Sequence, residues 1–169
     1  MIHSVLGPKQ IDIPVVIGGG IGHGRQLAAV LGMGADGVLI GTRVLVAEEV
    51  WSHAEVKKQI VNSGAADSTL VMSSFRNTSR VINNEFARAV QSLELDGIED
   101  FDQYWPYVKG ANAFDAYKSG DWNKALLSMG QSAVFADSVQ PMEQIYDTLI
   151  DEAAAALERL RGLKPSKTG

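Results

Sequence analysis

The sequence predicts an α/β fold: a parallel βαβ unit, then a mainly helical stretch, then a long C-terminal helix. Three observations carry this. Two short apolar runs, Val15-Val16-Ile17 and Val38-Leu39-Ile40, each end in a glycine break and are joined by a segment of helical spacing. Beyond Ala47 the apolar residues recur mostly at helical intervals. Near the C-terminus, Pro141 opens an apolar stripe that continues to Leu160.

Composition narrows the function classes. The 169 residues suffice for one domain with its own core. Hydrophobic residues make up 46% and charged residues 21%, as in ordinary soluble globular proteins. A net charge of −5 without a basic patch argues against a nucleic-acid or anionic-membrane partner. There is no cysteine, so structural disulfides and thiolate zinc sites are excluded. His3, His23 and His53 show no metal-ligand spacing. No apolar run approaches the ~18–20 residues needed to span a bilayer. No basic stretch leads into an apolar one at the N-terminus, and the expected compartment is the cytoplasm.

The elements follow in order. Residues 1–12 read as an irregular leader containing Gly7 and Pro8. Val15-Val16-Ile17 lacks alternation, as expected of a strand buried on both faces. Leu27, Val30 and Leu31 mark a helix from about residue 23 to 33, with Gly34 as its left-handed C-terminal stop. Asp36-Gly37 turns the chain into the second buried strand. Residues 48–62 read as a helix carrying Val50, Trp51, Ala54 and Val61. "STLVMSS" is a short strand. "RNTSRVINNEFARAVQSLE" reads as one amphipathic helix with Val81, Ile82, Phe86, Ala89, Val90 and Leu93 on its stripe, capped by Asn77 or Thr78. Short helices interrupted by Pro106 are expected across residues 95–122. "NKALLSMGQSAVF" reads as another helix with a break near Gly130. The last stripe comprises Met142, Ile145, Tyr146, Leu149, Ile150, Ala153, Leu157 and Leu160, and "KPSKTG" reads as a frayed end. Two parallel strands do not make a stable sheet alone. The expectation is therefore the C-terminal part of a larger fold, or a chain whose partner supplies the missing strands.

The glycines raise the functional question. Successive N–H groups in a glycine loop, followed by a helix N-terminus, make an anion site. The dinucleotide pattern GxGxxG fails, because His23 or Arg25 stands where the third glycine belongs. The P-loop pattern is a near miss from Gly19 to Gly24, with Arg25-Gln26 in place of the Lys and Ser/Thr pair. A third arrangement fits better: in (β/α)₈ barrels a phosphate sits between the loops after the last two strands. The N–H groups of Gly19-Gly20 and Gly41-Thr42 would then converge on one anion, and Thr42 could add a hydroxyl. The same spacing also fits tight turns with close helix–strand packing.

"IPVVIGGGIGHGRQLAAVLGMGADGVLIGTRVLVAEE" resembles the barrel end of the nitronate monooxygenase (2-nitropropane dioxygenase) family, and the likeness continues through "SHAEVKKQIVNS", "TLVMSSFRNTSRVINNEFAR" and "GANAFDAYKSGDWNKALLSMGQSAVF". The resemblance implies an FMN-dependent TIM-barrel oxidoreductase with a helical lid, oxidising alkyl nitronates with O₂. It implies the C-terminal portion of that barrel: 1–47 as its last strands, 48–127 as the lid, and 128–169 as a return segment and final helix. It assigns Gly19, Gly20, Gly41 and Thr42 to the FMN phosphate loops, Leu39 and Ile40 to the approach to the second loop, and Gln131 to a stretch near the active site. No histidine here matches the family's catalytic base, so no catalytic residue is expected. FMN, a small nitronate and O₂ are the implied partners, with a homo-oligomer or a separate N-terminal half to complete the barrel. FMN-dependent enoyl-acyl-carrier-protein reductases have a similar barrel end, and a non-catalytic truncated product is the third alternative. Arg43 is expected to pair with Glu48 or Glu49. Arg76 and Arg80 could guide an anion or pack. Tyr104, Trp105 and Tyr107 read as small-domain core, and His23 as an exposed loop residue.

Overall fold

The computed structural model describes residues 13–163. The irregular leader, His3 and the "KPSKTG" tail lie outside the described residues. Strand β1 (Val16–Gly18), helix α1 (Gly24–Gly32) and strand β2 (Gly37–Leu39) form the expected βαβ unit, with β1 and β2 parallel and Ile17 level with Val38. Helix α1 stops as expected: Gly34 takes a φ of +96°, which costs glycine little. At its other end His23 is the N-cap, accepting from the Arg25 N–H, while Gln26 Oε1 accepts from the His23 N–H. His23 is thus a partly buried cap and not an exposed loop residue.

The strands are not buried on both faces among the described residues. Val16 is 59% and Leu39 is 69% exposed, whereas Ile17 and Val38 on the other face are half-buried. The reason is topological. The described residues place no third strand beside these two, so nothing lies over the first face.

The next segment departs most from the reading by periodicity. Helix α2 (Ala54–Val61) begins six residues later than residue 48, because Val44–Val46 form a 3₁₀ turn and His53 Nδ1 caps the helix by accepting from the Glu55 N–H. Val50 and Trp51 precede it. Buried Lys57 donates to the carbonyls of Ala47 (2.7 Å) and Glu48 (3.2 Å), fixing the turn that leads into α2. Strand β3 (Ser68–Val71) then pairs antiparallel with β4 (Ser79–Ile82). Residues 79–82 are therefore strand, and α3 (Glu85–Leu95) starts only after Asn84. Asn84 decides this boundary. Its Oδ1 accepts from the Ala87 N–H, and its Nδ2 donates to the carbonyls of Trp122 (2.6 Å) and Ala125 (2.7 Å). Asn77 and Thr78 cap nothing.

Helix α4 (Phe101–Val108) carries Pro106 inside it, and the chain breaks at Lys109 before α5 (Gly110–Ser119). The expected helix across residues 123–135 is absent. Trp122–Lys124 and Gln131–Phe135 are 3₁₀ turns, and the segment between them runs extended beside β4, with Ser128 opposite Val81. Helix α6 (Met142–Arg161) follows, with Pro141 as its N-cap. Its buried stripe is Ile145, Leu149, Ala153 and Ala156, while Tyr146, Ile150, Leu157 and Leu160 are exposed. The small residues matter here. Ala28 of α1 meets Ala153 and Ala156, and Gly24 lies against the backbone of α6.

Two further apolar clusters hold the middle of the chain. Val46, Val56, Ile60, Ile82, Leu127 and Met129 form one, and Val71, Val81, Val90 and Tyr104 form another. Tyr104 is core, as expected, and its hydroxyl donates to the Ile98 carbonyl at 2.8 Å. Trp105 is 54% exposed and is not core. Tyr107 packs partly buried at the cluster's edge, edge-on to Phe86.

Candidate functional site

Both glycine breaks lie at the C-terminal ends of the parallel strands. Gly19 and Gly20 have φ of +99° and +72°, a region that side-chain-bearing residues rarely hold, so the sharp exit from β1 requires glycine there. After β2 the chain passes through Gly41 into a tight turn, in which the N–H groups of Val44 and Leu45 donate to the Gly41 carbonyl at 2.9 and 3.1 Å. Gly41 differs from the other two. Its φ lies outside the left-handed region, and nothing stands within 4 Å of the position of a Cβ. The protein's own packing does not explain a glycine at this position.

Gly19, Gly20, Leu39, Gly41 and Thr42 line one cavity of about 370 Å³. The backbone N–H groups of Gly20, Gly41 and Thr42 find no protein acceptor among the described residues. Thr42 is buried, and its Oγ1 accepts from the Gly130 N–H at 2.8 Å, which ties the second break to the 3₁₀ turn after Gly130. The hydroxyl proton remains available to a ligand. The two loops are also joined directly: buried Arg43 donates to the Gly22 carbonyl at 2.6 Å. Arg43 therefore braces a backbone carbonyl and not Glu48 or Glu49.

The opposite wall is formed by Arg80, Tyr117, Ser128, Gly130 and Ser132; of these the sequence offers only Arg80, as a residue that could guide an anion or pack. Arg80 is the only charged side chain among the described residues that line the cavity, so their local field favours an anion. Its Nη1 donates to the Ser68 carbonyl at 3.3 Å and to Ser68 Oγ at 3.1 Å, which holds the guanidinium in place. Burial pushes the Tyr117 phenol above its ordinary range. Two expected site residues lie elsewhere. Ile40 packs against Ala47, Ile145 and Leu149. Gln131 is exposed and is not among the lining residues, although its neighbours Gly130 and Ser132 are. Arg76 also lies outside the cavity wall, in the β3–β4 loop with a φ of +54°. Among the described residues no cluster of His, Asp or Glu could hold a metal ion. None of the described helices is long and apolar enough to cross a membrane.

These features define an α/β protein with an anion-receptive cavity at the C-terminal ends of adjacent parallel strands, where (β/α)₈ barrels bind phosphate. The chain belongs to the nitronate monooxygenase family, whose model matches residues 3–152. A nitronate monooxygenase of Neurospora crassa is 28% identical over 158 residues, covering 90% of this chain and 41% of the relative. Among solved structures, FabK from Thermotoga maritima superposes with a TM-score of 0.85 at 28% identity, over 95% of this chain and 50% of that one. A nitroalkane oxidase from Streptomyces ansochromogenes gives a TM-score of 0.68 at 28% identity, over 89% of this chain and 42% of that one. The chain thus spans half or less of the length of these proteins.

Proposed function

We propose that this chain carries the phosphate-gripping end of the FMN site in a nitronate monooxygenase-like oxidoreductase. The observation that carries the reading is the convergence of both glycine breaks on one cavity, with Gly41 left free of any packing or backbone need for glycine. A group approaching that backbone closely supplies the missing reason. The N–H groups of Gly20, Gly41 and Thr42 would donate to the phosphate, and the Thr42 hydroxyl would add a further donor. Arg80 would balance the charge. Bound FMN would supply the two-electron acceptor between an alkyl nitronate and O₂. In this reading β1 and β2 are the last two strands of a (β/α)₈ barrel, and the open face of Val16 and Leu39 belongs to its interior. The remaining strands of that barrel would cover it. Residues 48–127 would be its lid, with a hairpin among the helices.

Titration of the chain with FMN tests the reading. Saturable binding is expected, and Gly41→Val should weaken it by at least about tenfold by blocking the backbone approach. Unchanged affinity in that variant would remove the assignment. The likeness to FabK favours a second reading, reduction of an enoyl thioester by NAD(P)H on the same scaffold. Oxygen consumption with a nitronate, against NAD(P)H oxidation with an enoyl thioester, separates the two.

A further inference from the structure

One side chain grips the loop after β1. Gln26, in the first turn of α1, folds back over it. Its Oε1 accepts from the Gly22 N–H at 2.9 Å and the His23 N–H at 3.1 Å, and its Nε2 donates to the Gly20 carbonyl at 2.9 Å. The bond to His23 belongs to the helix cap; those to Gly20 and Gly22 do not. Gln26 is half-buried and does not line the glycine-lined cavity, whereas Gly19, Gly20 and Ile21 do. The amide therefore holds the loop from the side away from the cavity. Peptide geometry carries that hold across the loop. In a trans peptide the C=O and the following N–H point in opposite directions, and none of the described peptide bonds is cis. Fixing the Gly20 carbonyl toward Gln26 therefore turns the Ile21 N–H toward the cavity. Ile21 is 5% exposed, and its N–H finds no protein acceptor among the described residues. A buried N–H without a partner is uncommon and costly.

We propose that Gln26 is a positioning residue for the flavin phosphate. By turning the Gly20–Ile21 peptide it presents the Ile21 N–H as a donor to the anion, beside the N–H groups of Gly20, Gly41 and Thr42. A capping role alone accounts for the bond to the His23 N–H and gives no reason for a donor on the Gly20 carbonyl. The proposal rests on the cavity holding the FMN phosphate, as argued above.

The test separates the two ends of the side chain. In Gln26→Glu the carboxylate still accepts from Gly22 and His23, as a glutamate at this position of a capping box does, but it has nothing to donate to the Gly20 carbonyl. The urea midpoint should hold. FMN should bind at least about tenfold more weakly, from the loss of one hydrogen bond to a charged group, at low and high salt alike. Gln26→Met is neutral and loses both ends, so it should lower the midpoint and bind FMN as weakly as Gln26→Glu. Amide proton shifts of the full chain supply a second readout. FMN or inorganic phosphate should move the Ile21 amide downfield together with those of Gly20, Gly41 and Thr42. In both variants Ile21 should stay behind while Gly41 and Thr42 still move. Unchanged FMN affinity in both variants overturns the proposal, as does a loss confined to Gln26→Glu that salt removes, which is charge repulsion alone. If FMN moves Gly41 and Thr42 but never Ile21 in the unaltered chain, this inference falls alone. If inorganic phosphate moves all four amides and FMN moves none, the flavin reading falls and the role of Gln26 in an anion loop stands. If neither probe moves any amide, both fall.

Discussion

Gly24→Ala should unlatch α1 from α6. A Cβ at Gly24 would lie closer than 3.0 Å to the Leu149 carbonyl oxygen, the Ala153 nitrogen and Glu152 Cβ. The first two are α6 backbone and the third is fixed to it, so none can swing aside as a flexible side-chain tip would. Overpacking of this kind costs ~1–3 kcal/mol. Moving the helices apart also breaks the bond from the Gly24 N–H to Glu152 Oε2, now 2.7 Å, and a hydrogen bond to a carboxylate is worth ~1.5–3 kcal/mol. Together these predict a loss of roughly 3–5 kcal/mol. Gly32→Ala makes the same chemical change at the far end of the same helix. Nothing lies within 4 Å of its Cβ and its φ is not left-handed, so a gain of ~0.5–1 kcal/mol is expected. Urea unfolding followed by circular dichroism measures both. With m of ~1–3 kcal/mol/M, Gly24→Ala should lower the midpoint by about 1 M or more. Equal shifts for the two variants, or a Gly24→Ala loss below ~0.5 kcal/mol, would refute the account of α1–α6 packing.

Three further outcomes are expected. Asn84→Ala should cost about 3 kcal/mol or more in urea unfolding, because it removes a helix cap and strips two carbonyls of their donor; Asn77→Ala and Thr78→Ala should cost far less, and the reverse order would restore the earlier helix start. Thr42→Val should leave the Gly130 N–H unpaired and cost ~1–3 kcal/mol, while Thr42→Ser keeps the bond; both are read from unfolding midpoints and from FMN affinity. Tyr104 and Tyr117 have phenols raised above the ordinary 10.0, mainly by burial. The unfolded chain therefore releases these protons before the folded one does, and stability should fall as pH rises past 10.0. Phenolate absorbance in Tyr104→Phe and Tyr117→Phe should each lack one late-ionising group, and an unchanged titration curve would contradict the burial of that ring.

The sequence by itself determined the βαβ unit, the C-terminal helix and the two glycine breaks. Each is a local matter: unbroken apolar runs, helical spacing, and glycines where the backbone must turn left-handed or leave room. Thr42 beside Gly41 was legible for the same reason. Tertiary structure alone decided the rest. Residues 79–82 carry a helical stripe in sequence, yet they pair with β3 and with the segment around Ser128, because backbone partners distant in the chain outweigh local propensity. Asn84 sets the start of α3 through carbonyls 38 and 41 residues away, which no local pattern reveals. Arg80, Tyr117 and Ser128 reach the cavity only because the β3–β4 hairpin and α5 fold back over the strand ends. One half of the site is built from neighbours in sequence and could be read there. The other half is assembled from distant segments: Arg80 could be named from the sequence as an anion-guiding candidate beside Arg76, but only the fold separates the two and brings Arg80 together with Tyr117 and Ser128.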